Sequence, residues 1–305
     1  MADGWGVEGL RHVTPLEADY PSRLRGLSDA PAPASITVRG GRVEATCAVA
    51  VVGSRSALHA AVAFTRELAA AIARAGGTVV SGGALGIDAA AHHGALACGG
   101  RTWAVAGTGH EHCFPSDHAE LFERIGTGPG AMLWPFPPHF QHRMGFVQRN
   151  RVLVALSDAV VVVQAGERSG ALNAASWAKR LGKPLWVVPA PPWTHDPEPP
   201  VHGGFAGSLQ LLAEGARPLT SIRKFLAALG LDDQPDQPEE PASLTGEARD
   251  VYEATSTKPA HMDAIATAAG QTAQVAMAAL LTLALENVVV EGPPGFFRRT
   301  KGCNH

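Results

Sequence analysis

Short apolar runs alternate with longer helical stretches along most of the chain. The run Ala48–Val52 enters a Gly-rich turn at 53–56, which is followed by Ala-rich helical sequence. The run 78–80 enters a second Gly-rich turn at 81–88 in the same way. This alternation is typical of an α/β fold, in which helices cover both faces of a mostly parallel sheet and ligands bind beyond the carboxyl ends of the strands. Further strands are predicted at 102–106, 131–134, 159–163 and 185–188.

Composition divides the chain into two domains joined by a linker. Residues 232–241 are acidic, rich in proline and without apolar side chains, which favours a flexible connection. Beyond them, three segments with apolar residues at helical spacing precede a hairpin that turns at 292–295, and this order predicts a winged helix. We therefore predict an extended Rossmann-like, doubly wound domain and a small C-terminal winged helix. The predicted bounds are 1–44 for an N-terminal extension, 45–228 for the Rossmann-like domain, 229–243 for the linker and 244–300 for the winged helix.

The predicted third helix of the winged helix has no Lys or Arg between residues 271 and 287. A helix that enters a DNA groove without a cation loses most of the phosphate attraction on which affinity depends. The sequence therefore favours a protein contact or an accessory role for this domain over sequence-specific recognition of duplex DNA.

Three loops of the main domain combine arginine with glycine or with polar residues. The first carries Gly53, Ser54 and Arg55, and two later loops carry the runs 149–151 and 168–170. Glycines placed just after a strand expose backbone N–H groups, and the following helix adds the positive end of its dipole, so such turns bind phosphate. Because the loops adjoin carboxyl ends of strands, we expect them to converge. Several cationic loops suit a repeated phosphate backbone better than one mononucleotide.

The net charge of the chain bears on whether these arginines form a site for a polyanion. The formal net charge of the 305-residue chain is −3, so a site for a polyanion needs a local concentration of arginine. An alternative is that Arg149 and Arg151 form ion pairs with acids such as Asp158 or Glu167. Aromatic residues near these loops, such as Phe146, suit either base stacking or burial in the core.

The cysteines and the apolar runs indicate where the protein acts. The four cysteines form no C-x-x-C pair, so free thiols are expected. No apolar run approaches the ~18 residues of a membrane helix, and the N-terminus lacks the pattern of a secretion signal. We expect a cytoplasmic protein without a membrane contact.

Enzymatic alternatives have little support in the sequence. Neither Gly-rich loop has the full G-x-G-x-x-G of a dinucleotide site, and Gln164, at the end of a predicted strand, cannot act as an acid or a base. Asp88 is expected to cap the helix 89–97, and the histidine-rich loop 110–118 is expected to pack near the phosphate site instead of binding a metal. We predict no catalysis, cofactor or metal. The alternative is a nucleotide-derivative sensor or hydrolase that uses the same pocket.

Short motifs also occur in a definite order along the main domain. They are Gly53-Ser54-Arg55, Ser81-Gly82-x-Ala84-x-Gly86-Ile87-Asp88, Gly107-x-Gly109 with Phe114-Pro115, Phe146-x-x-Arg149-Asn150-Arg151 and Ser169-Gly170-Ala171-Leu172. Each motif alone is weak, but their order from about Tyr20 to Ser221 resembles the DNA-processing protein A (DprA or Smf) family. The last domain resembles the winged helix that some members of that family carry.

This resemblance implies a single-stranded-DNA-binding protein that acts as a homodimer and loads a RecA-type recombinase in natural transformation. It also implies that the dimer contact lies toward the end of the main domain, where the segment 205–219 has clustered Leu residues. The DNA-binding residues predicted in this way are Gly53, Ser54, Arg55, Ser81, Gly82, Gly86, Gly107, Gly109, Phe146, Arg149, Asn150, Arg151, Arg168, Ser169 and Gly170.

The chain departs from the family pattern at several positions. The family usually has Arg at the position of Leu85, an acid at Gln164, Gly at Ala190 and Asn at Leu209, and it usually has Lys in place of Arg168. These departures predict a divergent member whose affinity or choice of partner differs from that of the family.

Overall fold

The computed structural model describes residues 8–25, 27, 32–189, 204–231, 246–285 and 289–299. Its contacts divide the chain into two compact units, Met1–Asp233 and Gln234–His305. The acidic segment 232–241, Ala190 and the cysteine at 303 lie outside the described residues.

A nine-stranded sheet forms the centre of the described part of the first unit. Its order is β1-β2-β6-β5-β4-β3-β7-β8-β9, and the strands from β6 to β9 along this order are parallel. The strands are β1 (Leu10–Val13), β2 (Ile36–Gly40), β3 (Ala48–Val52), β4 (Thr78–Ser81), β5 (Thr102–Val105), β6 (Ala131–Trp134), β7 (Ala159–Val162), β8 (Leu185–Val187) and β9 (Arg217–Pro218).

Helices cover both faces of this sheet, as the alternating pattern predicts. The described helices are α1 (Ser22–Arg25), α2 (His59–Arg74), α3 (Ile87–Ala97), α4 (Ala119–Thr127), α5 (Gly145–Ala155), α6 (Gly170–Arg180), α7 (Ala206–Ala213) and α8 (Ile222–Ala228). Alternate residues of β3 enter two different cores: Ala50 and Val52 pack with α5 and α6, whereas Val49 and Val51 pack with α2, α3 and α8. All five residues of β3 are buried, which explains its uninterrupted apolar sequence. The predicted doubly wound fold is confirmed.

The strand order reverses next to β3. From β3 the chain moves outward through β4, β5 and β6, and it then returns to place β7 on the other side of β3. The turns that follow β3 and β7 therefore diverge toward opposite sides of the sheet and leave a crevice between them, which is where open α/β sheets bind ligands.

The N-terminal extension is part of the sheet. Strand β2 pairs antiparallel with β6, and β1 pairs antiparallel with β2, so residues 10–40 extend the edge of the parallel sheet. In this region the sequence pattern indicates only a short strand at 35–38. The four residues of β1, LRHV, have no regular alternation of apolar and polar positions, so the strand depends on its pairing with β2.

The second unit contains three helices and a three-stranded antiparallel sheet among its described residues. Its elements are α9 (Glu247–Ala254), β10 (Ala260–His261), α10 (Met262–Ala268), α11 (Ala273–Leu285), β11 (Val289–Glu291) and β12 (Phe296–Arg299), with the sheet order β10-β12-β11. Val251, Tyr252, Leu280 and Phe297 lie at the centre of its core. This arrangement is the predicted winged helix, to which β10 adds a strand that the sequence pattern does not indicate.

No single described helix has the length and apolarity needed to cross a membrane, and only the bent pair Met262–Ala268 and Ala273–Ala284 meets those limits together.

Candidate nucleic-acid interface

A cavity of about 1310 Å³ lies at the crevice between the turns after β3 and β7. The segments 53–56, 141–147 and 166–171 contribute to its wall. Nine of the predicted DNA-binding residues line it: Gly53, Ser54, Arg55, Phe146, Arg149, Asn150, Arg168, Ser169 and Gly170.

Three exposed arginines contribute to this wall. Arg55 follows β3, Arg168 follows β7, and Arg143 lies just before α5. None of the three has an ion-pair partner among the residues that the structure describes. The wall therefore carries a local positive charge in a chain with a net negative charge. The sequence motifs do not include Arg143. Its position three residues before the motif residue Phe146 is the feature of the sequence that could have indicated it.

The start of α6 gives the cavity a second feature that attracts anions. Ser169 is the N-cap residue, and its hydroxyl accepts a hydrogen bond from the Ala171 N–H at 3.2 Å. A β-carbon added to Gly170 would meet nothing within 4 Å, so the backbone here faces open space. Asn150 donates through Nδ2 to the Gly170 carbonyl at 3.3 Å and to Asn173 Oδ1 at 3.1 Å, which fixes α5 against this helix start. An anion at this point meets the positive end of the α6 dipole.

Aromatic rings form another part of the wall. The rings of Phe114 and Phe146 are tilted by 53° with centroids 5.0 Å apart, and Phe114 is 48% exposed. The Arg55 guanidinium lies 5.8 Å from the centroid of the Phe146 ring. An exposed ring beside cations offers a surface on which a nucleic-acid base can stack.

Several predicted DNA-binding residues instead hold the loops together. Ser81 is fully buried, and its hydroxyl donates to the Val51 carbonyl at 2.6 Å. A β-carbon at Gly86, which has a φ of 76°, would overlap the carbonyl oxygens of Ser54 and Arg55, so this glycine lets the two Gly-rich turns touch. A β-carbon would likewise overlap the Phe146 ring at Gly107, the Pro137 and Pro138 carbonyls at Gly109, and the Arg149 guanidinium at Gly82. These five residues are absent from the cavity wall, and their contacts are those of packing.

Arg151 does not converge with the other arginines, although the sequence motifs predict that it does. It lies two residues after Arg149 on α5, about 200° round the helix, and it does not line the cavity. Its charge acts on Tyr20, whose pKa is raised by burial, an effect that Arg151 opposes. We therefore remove Arg151 from the candidate interface.

Arg149 has an acidic partner, although a different one from those considered in the sequence. Its side chain is buried, and its Nη2 lies 3.7 Å from Asp88 Oδ2. Asp158 instead pairs with Arg23 at 2.8 Å. The expectation that Asp88 caps a helix is wrong, because α3 begins at Ile87 and its N-cap residue is Gly86. Burial raises the pKa of Asp88, and the nearby Arg149 opposes that rise.

Gln164 connects the two turns at the crevice. Its backbone carbonyl accepts from the Ser54 N–H at 2.7 Å, and its side-chain Oε1 accepts from the Leu58 N–H at 2.9 Å. The segment between these two hydrogen bonds carries Arg55. Gln164 therefore fixes the loop on which this arginine stands, without adding a negative charge to it.

The histidine-rich loop packs against its surroundings. The ring of His110 lies edge-on to His12 and Trp134, and His118 Nδ1 is 2.9 Å from the Gly83 carbonyl. Within the described ranges, no three His, Cys, Asp or Glu side chains are grouped so as to hold a metal ion.

A doubly wound domain with this cavity, followed by a winged helix, is the arrangement expected of a DNA-processing protein. Comparison with known protein families identifies which family this is. The family model described as "DNA recombination-mediator protein A" matches residues 11–230, and the model described as "DprA winged helix domain" matches residues 235–295. The chain belongs to this DNA recombination-mediator (DprA/Smf) family, as its motifs predict.

Individual relatives agree with this assignment. The chain is 33% identical over 247 residues to Protein Smf of Synechocystis sp. and 38% identical over 231 residues to the putative DNA processing protein DprA of Mycobacterium tuberculosis. These matches cover 79% and 73% of this chain but only 59% and 57% of the two relatives, so the chain spans less than two thirds of their length. Protein Smf of Escherichia coli is 30% identical over 98% of this chain and 80% of its own length.

Two solved structures share the fold. DprA of Streptococcus pneumoniae has a TM-score of 0.63 at 29% identity, over 72% of this chain and 74% of that one. DNA processing protein A of Helicobacter pylori has a TM-score of 0.62 at 26% identity, over 72% of this chain and 95% of that one, and its structure was solved for insight into its single-stranded DNA binding mode.

Replacing Gln164 should loosen the loop that carries Arg55. In Gln164→Leu, the part-buried Leu58 N–H loses its acceptor, and we expect the free energy of unfolding to fall by about 1–2 kcal/mol in a denaturant titration. Gln164→Glu keeps an acceptor but buries a carboxyl group, whose penalty should grow as the pH rises and disappear in acid. Gln148→Leu, at an exposed position of α5, serves as the control. Equal stability of the Gln148 and Gln164 leucine variants would contradict the assigned role.

Proposed function

We propose that the protein is a single-stranded-DNA-binding recombination mediator that protects incoming DNA and loads a RecA-type recombinase during natural transformation. The observation that carries this proposal is the cavity at the strand-order reversal. Three exposed arginines, which have no ion-pair partner within the described ranges, line it together with a capped helix start and an exposed aromatic ring. Membership of the recombination-mediator family supports the recombinase part of the proposal.

The size and lining of the cavity support a strand over a free nucleotide. Its volume of about 1310 Å³ exceeds the roughly 300–1,000 Å³ of typical small-molecule pockets. Arg55, Arg143 and Arg168 stand on three different loops, which suits successive phosphates, and Phe114 offers its face to an unpaired base. A duplex keeps its bases stacked inside the helix, so it would leave the aromatic surface unused.

The carboxylates of the cavity support a binding role without catalysis. Among the residues that line it, the acids are Asp88 and Glu167. Asp88 is buried against Arg149, and Glu167 is exposed at the loop surface. Asp88 is engaged by the guanidinium of Arg149 and by the Ala84 N–H, which supports a role in holding the wall over one in general acid–base catalysis.

Removing one exposed arginine should weaken binding of single strands of every sequence. We expect Arg55→Ala, Arg143→Ala and Arg168→Ala each to lower the affinity for an oligothymidylate and for a mixed-sequence strand. Each should also flatten the slope of log affinity against log salt concentration by about 0.7, because one phosphate contact is lost. Fluorescence anisotropy at several salt concentrations measures both quantities.

Arg42→Ala is the matched control for this series. Arg42 is 72% exposed, lies 3.7 Å from Asp19 and is outside the cavity wall. Wild-type affinity and slope in all three cavity variants would refute the proposal. Saturation by a mononucleotide at micromolar concentration, with no gain from longer strands, would favour a nucleotide sensor or hydrolase instead.

The winged helix is proposed to be accessory to single-strand binding. The three exposed arginines of the cavity wall belong to the first unit, and residues 273–285 of α11 carry no charged side chain. A chain that ends at Asp233 should therefore fold and retain single-strand affinity within about tenfold, or 1.4 kcal/mol, of the full chain. A larger loss in a folded truncation, measured by the same anisotropy titration, would assign part of the binding site to the second unit.

We also propose that the protein forms a homodimer. The burial of each Leu in the segment 205–219 decides which substitution can test the contact. In the segment 205–219, Leu211 is 5% exposed and belongs to the main core, so a charge there would disrupt folding and not an interface. Leu209 on the same helix is 54% exposed. Leu209→Glu should shift a dimer to monomer in sedimentation at tens of micromolar, because a charge replaces buried apolar contact area. Leu281→Glu, at a 51% exposed Leu of the second unit, should leave the dimer intact. A wild-type monomer would refute the dimer.

A further inference from the structure

The guanidinium of Arg149 lies in the cavity wall, where three other parts of the fold meet it. The residue belongs to α5, its Nη1 donates to the Val105 carbonyl at the end of β5 at 2.6 Å, and its Nη2 faces Asp88 on α3. The guanidinium also covers Gly82 in the turn after β4, where it occupies the position that a β-carbon would take. From α5, this one side chain therefore contacts the turn after β4, the helix α3 and the end of β5.

These contacts leave Arg149 poorly suited to bind phosphate. The residue is 5% exposed, and its Nε is buried as well. Its charge is opposed by the Asp88 carboxylate, which also accepts from the Ala84 N–H at 3.3 Å. A phosphate that drew the guanidinium away would leave a buried carboxylate without its cation, which is strongly unfavourable. Arg55 and Arg168 are exposed, and neither has an acidic partner among the residues described.

Gly82 provides independent evidence for the same role. Its φ lies outside the left-handed region, so an alanine is compatible with its backbone. The three atoms nearest to an added β-carbon all belong to the Arg149 guanidinium. The Arg149 guanidinium therefore accounts for a glycine at this position, and no left-handed backbone conformation is needed to explain it.

We propose that Arg149, Asp88 and Gly82 form a strut that positions the cavity wall, and that Arg149 is a positioning residue and not a phosphate ligand. The strut fixes the start of α5, and with it the neighbouring Phe146 and Asn150, against the turns after β4 and β5. This inference rests on the proposed function, because the quantity that the strut controls is the affinity for single-stranded DNA.

The central experiment is a double-mutant cycle on Gly82 and Arg149, measured by salt-dependent anisotropy on folded protein. Arg149→Gln should weaken strand binding about tenfold at fixed salt while the salt slope stays at the wild-type value, because no phosphate contact is lost. Gly82→Ala should have a similar effect, since its β-carbon displaces the guanidinium. The double variant should bind no more weakly than Arg149→Gln, because the β-carbon then enters vacated space.

Two further variants separate charge from geometry. Arg149→Lys keeps the charge but lacks the planar fork that reaches both Val105 and Asp88, so it should not restore binding, whereas a residue that acted by charge alone would be rescued. If Arg149→Gln does not fold because Asp88 is left alone, Asp88→Asn combined with Arg149→Gln removes both charges and allows the same slope to be measured.

Failure of this inference can be distinguished from failure of the proposed function. A slope flattened by about 0.7 in Arg149→Gln, or rescue by Arg149→Lys, would make Arg149 a phosphate ligand and overturn the strut. Effects of Gly82→Ala and Arg149→Gln that multiply would also overturn it. Wild-type affinity and slope in all three of Arg55→Ala, Arg143→Ala and Arg168→Ala would instead remove the proposed function, and the cycle measured as thermal midpoints would then still test the contact between Gly82 and Arg149.

Discussion

The reversal of strand order beside β3 is the constraint on which the rest of the first unit depends. β3 is hydrogen-bonded to β4 on one side and to β7 on the other, and all three strands point the same way. Their carboxyl ends therefore lie at one edge, while the connections leave in opposite directions. The buried apolar residues of β3 and β7 hold this geometry rigidly, since each strand packs helices on both faces. The strand order therefore determines where the cavity lies, and the side chains of the loops determine its charge and polarity.

Burial then divides the arginines of this region into two groups. Desolvation lowers the pKa of Arg149, the carboxylate of Asp88 opposes that change, and the side chain is held inside the wall. Arg55 and Arg168 emerge from turns after strands and remain exposed, with no acidic partner in the part of the chain that the structure describes. An exposed cation keeps its hydration until a phosphate replaces it, whereas a buried one has already exchanged its hydration for protein contacts. This difference in burial is the reason that we propose a binding role for Arg55 and Arg168 and a structural role for Arg149.

The sequence predicts the centre of this fold better than its edges or its contacts. The strands Ala48–Val52 and Ala131–Trp134 are predicted to the residue, because continuous apolar runs are typical of buried parallel strands. The two-residue strands β9 and β10 have no pattern of their own to detect. Spacing also cannot show that Ser81 faces inward or that Leu211 is buried and Leu209 exposed, because these outcomes depend on which neighbouring element covers each residue. The role of Asp88 is a tertiary contact that no local motif encodes.

Two of the departures from the family pattern, Leu85 and Gln164, lie near the cavity and change its charge. Leu85 is 46% exposed in the turn after β4, next to Ala84 of the cavity wall, so the usual Arg there would add a cation. Gln164 is buried beside Ser54, where the usual acid would add an anion to the base of the same crevice. The chain lacks both charges, and the two absences act in opposite directions on the potential of the cavity. In the proposed binding mode, the attraction for a polyanion then depends on Arg55, Arg143 and Arg168, which stand on separate loops.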